Sequence, residues 1–147
     1  MNSNQFFWWR FLVMVTASLM LFGLILVVMP SLTQQGFSLL VYASADHLST
    51  FGAEALAYIG LVHAVLGSVM FGWAVVFMFL TLGPLRRGSK NAWRMFVFSL
   101  VAWFIPDTAY SLLSGFWQNA VLNASFVLMF AIPLMALRTY CDKTLAE

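Results

Sequence analysis

Four stretches of the chain stay apolar for longer than a soluble core helix needs, and short polar breaks separate them. The first runs from Phe11 to Met29, nineteen residues without a charge, bounded by Arg10 and Pro30. The second covers about 55–82 and meets Gly83-Pro84, which is expected to end it. The third covers about 92–113 and the fourth about 120–137. A helix rising about 1.5 Å per residue crosses the hydrocarbon of a bilayer in roughly 20 apolar residues, so all four are expected to span as helices. The second exceeds that need and is expected to tilt or protrude. The pattern predicts an all-α, polytopic membrane four-helix bundle, with residues 1–147 as one domain. Ala43-Ser44-Ala45 looks like a signal-cleavage tripeptide, but it stands well past the first run. That run is also longer than a signal core of about 7–15 residues, so it is read as a retained span.

Composition agrees with the pattern. Hydrophobic residues make up 63% of the 147 and charged residues 8%, against about 25% charged in soluble domains. The net charge of +2 is small, and no basic stripe of the kind a nucleic-acid binder presents is visible. The single cysteine, Cys141, excludes an intrachain disulfide, a Cys-x-x-Cys redox pair and a multi-cysteine metal site. It also stands too far from the end for a prenylation box.

The placement of charge adds orientation. Arg10 precedes the first run, Arg86, Arg87, Lys90 and Arg94 lie between the second and third, and Arg138 and Lys143 follow the fourth. Segments 30–54 and 114–119 carry neither lysine nor arginine. With four spans, all seven basic residues fall on one side, and the positive-inside rule makes both termini cytoplasmic at a cell inner (plasma) membrane. These basic residues fix topology and are placed to meet anionic lipid. Trp8, Trp9, Trp93, Trp103 and Trp117 lie along or beside span ends, where an interfacial aromatic belt is expected.

Segment 30–52 is the one long connection. Its Phe37-Ser38-Leu39-Leu40-Val41-Tyr42 is apolar but too short to cross, so a semi-apolar outer segment is expected, either re-entrant or a surface cap. Asp46, His47 and Glu54 lie on the same side.

Asp107 is the costliest residue in the chain. It follows Pro106 inside the third run, and a carboxylate at the centre of a membrane helix costs about 3 kcal/mol on insertion scales. Pro106 also removes an N–H from the helix where lipid offers no substitute, so the backbone is expected to break or bend there. Counting residues puts Asp107 roughly 9–10 Å below the outer surface, His63 roughly 12 Å and Asn123 roughly 5–6 Å. Ser99, Trp103, Asp107, Tyr110, Ser111 and Ser114 follow steps of three or four and form one stripe, and Asn119 and Asn123 share a face four residues apart. Asp107, His63, Tyr110, Ser111, Asn119 and Asn123 are therefore the expected ligand-binding residues. Each also has a plainer use: amides and hydroxyls in span ends bond neighbouring helices, and a lone histidine often fills an interior. On the second run Gly60, Ala64, Ser68 and Gly72 recur every four residues, a spacing that permits close helix approach and a homodimer.

Asp107 and His63 have the right chemistry for an acid and a base on a lipid or quinone, or for a relay in a dimeric proton-coupled transporter. No metal-ligand pair is fixed locally, and no phosphate-cradling loop or nucleophile elbow is present, so no metal or cofactor is implied. The stretches Val65–Trp73, Trp103-Phe104-Ile105-Pro106-Asp107-Thr108 and Ser114–Asn123 resemble small bacterial four-span membrane proteins of uncharacterised activity. That resemblance covers about the last two-thirds of the chain and implies a bacterial inner-membrane protein. The expected function is that of a small-amphiphile binding or accessory membrane protein, with a polar pocket in the outer third of the bilayer.

Overall fold

The computed structural model describes residues 1–44 and 46–143, the side chain of Lys143 excepted. Ala45, the last residue of the cleavage-like tripeptide, and Lys143 as a side chain thus lie outside the described residues. Five α-helices follow one another: α1 (Ser3–Val28), α2 (Pro30–Tyr42), α3 (Ala53–Leu80), α4 (Lys90–Leu113) and α5 (Trp117–Lys143). No strand occurs among the described residues. Four helices are long and apolar enough to cross a membrane, their best windows having mean hydropathies of 2.8, 2.2, 1.5 and 2.2.

The helices outrun the apolar counts because local caps, not hydropathy, set their ends. Asn2 and Gln5 exchange side-chain and backbone bonds of 2.8 Å each, a capping box that starts α1 eight residues before Phe11. Ser89, extended at ψ 112°, accepts from the Ala92 amide and starts α4 at Lys90. Gly83-Pro84 does not end the second span, as the sequence suggested. A π turn at Thr81–Leu85 carries the helix past Pro84, since a turn bonded one residue further on bypasses the missing N–H. Pro106 does not break α4 either; the helix runs through it to Leu113.

The chain divides into two units, residues 18–74 and residues 1–17 with 75–147. In the first of these, α1 stops at Val28 because Pro30 restricts the residue before it; Met29 sits at φ −127°, ψ 59°. Pro30 then opens α2 at its first turn, where its missing N–H costs nothing. Segment 30–52 is thus mostly helical: α2 runs to a left-handed Ala43 cap, and a 3₁₀ turn spans Asp46–Thr50. The Gln34 side chain donates to the Leu56 carbonyl of α3 at 3.0 Å.

Gly23 of α1 and Gly67 of α3 are both buried in this unit. A Cβ at Gly23 would stand 2.8 Å from both the Gly67 carbonyl oxygen and the Phe71 amide nitrogen, and one at Gly67 would stand 2.5 Å from the Gly23 carbonyl oxygen. The helices therefore cross backbone to backbone. The small-residue seam predicted at Gly60, Ala64, Ser68 and Gly72 does not follow this contact. Gly60 lies under Gln34, but Ser68 is exposed and a Cβ at Gly72 would meet nothing within 4 Å. Steps of four advance about 40° beyond a full turn each time, so a strict four-residue stripe rotates off a face that repeats every ~3.6 residues. The less exposed face instead reads Gly60, Ala64, Gly67, Phe71 and Ala74, with Gly67 and Ala74 buried.

The other unit has an aromatic core. Phe77 stacks on Phe96 with centroids 3.8 Å apart, and Phe130 lies 5.8 Å from each. Leu12, Leu85, Leu134 and Leu137 are buried around it. Trp9, expected among the belt residues, turns into the unit. It is 9% exposed, and its Nε1 donates to the Thr81 carbonyl at 2.8 Å. Trp93 Nε1 donates to the Leu134 carbonyl at 2.7 Å, while Trp117 remains largely exposed.

Basic residues gather at this same end of the unit. The Arg86 guanidinium lies 4.7 Å from the Trp9 ring, and its carbonyl accepts from Tyr140 Oη at 2.9 Å. Lys90 pairs with Asp142 at 2.6 Å, Arg138 lies 3.8 Å from the same carboxylate, and Arg87 and Arg94 are exposed.

Candidate functional site

The site forms where α4 hands over to α5. Gly115, at φ +81°, occupies the left-handed position after the Ser114 cap, where a side chain would be strained. The Gly115 amide bonds the Leu112 carbonyl at 3.2 Å and the Phe116 amide bonds the Ser111 carbonyl at 2.8 Å, the Schellman pattern. The reversal is so tight that α5 begins at Trp117, and Asn119 falls in its first turn beside the last turns of α4. The sequence suggested a start near Ala120; the glycine cap brings it forward.

Asn119 holds the cluster together. Its Nδ2 donates to Ser111 Oγ at 2.8 Å and reaches Asp107 Oδ1 at 3.4 Å. Ser111 is 3% exposed and donates in turn to the Asp107 backbone carbonyl at 2.7 Å. That bond turns a buried hydroxyl back onto its own helix. One turn deeper along α5, Asn123 is also 3% exposed and reaches Thr108 Oγ1 at 3.4 Å. Thr108 is the member sequence reading missed. Its signal was available, since it lies three residues before Ser111 and shares that face of the helix.

Asp107 is half-buried, six residues or about 9 Å from the end of α4. The bond from Asn119 is long for a charge-assisted contact, which ordinarily closes to about 2.7–2.9 Å. Among the described residues of its unit no basic side chain pairs with Asp107; the ion pairs Lys90–Asp142 and Arg138–Asp142 lie toward the opposite end of α4.

Tyr110 does not join this cluster. It is 71% exposed and takes no part in these hydrogen bonds, because it lies on the other side of Asp107 from Ser111 and Thr108, the two that face α5. His63 belongs to the other unit, where its Nδ1 lies 2.8 Å from the Ile59 carbonyl and its ring meets Phe37 edge-on with centroids 5.2 Å apart. A carbonyl oxygen only accepts, so Nδ1 carries a hydrogen in this contact. His47, in the 3₁₀ turn, stacks on Tyr42 at 4.0 Å. Among the described residues no group of three histidine, cysteine or carboxylate side chains is placed to share a metal ion.

The fold defines an all-helical protein with four helices long and apolar enough to cross a membrane, and with one polar cluster joining the last two. No family model matches the chain, and neither a curated protein nor a solved structure matches it.

Proposed function

We propose that this is a multi-pass inner-membrane protein with both termini cytoplasmic, and that the Asp107 cluster binds a small amphiphile in the outer part of the bilayer. One observation carries the binding reading: a half-buried carboxyl group in an apolar helix receives a single long side-chain bond, leaving most of its acceptor capacity for a ligand. A group at such depth ordinarily finds a partner or a wet cavity. The membrane reading is supported by the large apolar side chains that the helices turn outward, among them Phe79, Phe98 and Leu113 at 72%, 72% and 89% exposed. The topology reading is supported by the basic residues gathered at one end of their unit.

Native mass spectrometry of the protein extracted from its own membrane tests the binding reading. The wild type is expected to retain an amphiphile that Asp107→Ala loses, with helicity and melting temperature kept. Equal retention by a folded Asp107→Ala variant defeats it.

A further inference from the structure

The hydrogens that Asn119 and Ser111 offer beside Asp107 are already directed to protein acceptors. Both hydrogens of Asn119 Nδ2 are directed, one to Ser111 Oγ and one to Asp107 Oδ1. The Ser111 hydroxyl points to the Asp107 carbonyl, and Asn123 Nδ2 points to Thr108 Oγ1. The amide of Asn119 has one sensible orientation, because only its NH₂ can face a carboxylate. What remains beside Asp107 and Asn119 is acceptors, while the Thr108 hydroxyl and the second Nδ2 hydrogen of Asn123 belong to the Thr108–Asn123 pair. Among the described residues no protein donor reaches Asp107 Oδ2, Asn119 Oδ1 or Asn123 Oδ1, and Asp107 Oδ1 has its one long bond. Asp107 and Asn119 stand on the partly exposed side of the cluster, while Ser111 and Asn123 are buried behind them.

Resting on the reading of this cluster as an amphiphile site, we infer that the head group it selects is a primary ammonium. Such a head brings N–H donors to the unfilled acceptors of Asp107 and Asn119 on the partly exposed side, and it brings the positive charge that Asp107 lacks within its own unit. A phosphate or sulfate brings acceptors and negative charge to a carboxyl group that has no cation beside it. A quaternary ammonium has the charge but no N–H. The recognition is therefore for donors as well as for charge.

The test uses the full chain in a neutral maltoside detergent, titrated with dodecylammonium, dodecyltrimethylammonium and dodecyl sulfate and read by native mass spectrometry. Dodecylammonium is expected to bind about tenfold more tightly than its trimethyl analogue, the worth of one charge-assisted hydrogen bond, and dodecyl sulfate not to saturate. Asp107→Asn, nearly isosteric, is expected to lower dodecylammonium affinity by about tenfold or more, and Asp107→Glu to keep the preference. Equal affinity for the two cations, or saturable sulfate binding that Asp107→Asn removes, overturns the ammonium assignment and leaves an amphiphile site standing. Saturable binding of none of the three overturns both. Competition from phosphatidylethanolamine, but not phosphatidylcholine, in mixed micelles places the source of the ammonium in the bilayer. Failure of both lipids to compete against bound dodecylammonium points to a free amine, with the donor rule intact.

Discussion

Trp9 shows how one side chain closes one end of a helical unit. Its indole donates to the Thr81 carbonyl from inside the unit, and Arg86 lies over its ring. Thr81 opens the π turn at Pro84, where the regular bonding pattern shifts, so its carbonyl benefits from a donor on another helix. Trp9→Phe keeps the ring and its cation–π contact but removes the N–H. The expected cost is about 1–3 kcal/mol, the price of an unsatisfied buried acceptor, read as a lower melting temperature in detergent. The equivalent change at exposed Trp117 is expected to stay within about 0.5 kcal/mol. Sequence reading treated these tryptophans alike, as belt residues. An indole near a span end looks the same whether it faces lipid or a neighbouring carbonyl, and only the neighbour decides.

At the scale of elements, the decisive contact is between Gly23 and Gly67. Both added Cβ atoms would meet backbone rather than a flexible side chain, so relief requires the helices to separate. Gly67→Ala is expected to destabilise by several kcal/mol, beyond the ~1–3 kcal/mol of ordinary overpacking, whereas Gly72→Ala faces open space and is expected to be neutral or slightly stabilising through helix propensity. Comparative thermal unfolding of the two variants measures this, and equal destabilisation would contradict the crossing. The small-residue character of α3 was legible in the chain, but the azimuth of its contact was not. That depends on where α1 lies, and Gly23 stands in α1 with no spacing signal of its own. The α4–α5 reversal was more accessible. Gly115 between two apolar runs marks the turn, and Asn119 with Asn123 marks the face.

Across the whole molecule, the four long apolar helices and the basic residues make a topological statement that can be checked directly. In a Cys141→Ala background, a cysteine at Thr50 is expected to react with an impermeant maleimide added to intact cells. A cysteine at Arg87 is expected to react only after permeabilisation. Labelling of both from the same side would remove the four-span arrangement, and with it the depth assigned to Asp107. Thr50 and Arg87 are exposed, so accessibility to the reagent is limited by the membrane and not by burial.

The apolar runs by themselves determined the helical class and the number of long helices, because length and hydropathy are one-dimensional properties of the chain. They also singled out Asp107, since a lone carboxyl in an apolar run is conspicuous without any structure. Tertiary structure decided the rest. It turned segment 30–52 into α2 and a 3₁₀ turn, drew Trp9 inside and left Tyr110 outside. It also gave Asp107 its partner across the helix reversal in Asn119, with Thr108 taking Asn123. Each of these depends on which neighbour stands across from a given helix face. A chain fixes the angle of its own residues around a helix, but the atoms that meet them belong to another helix.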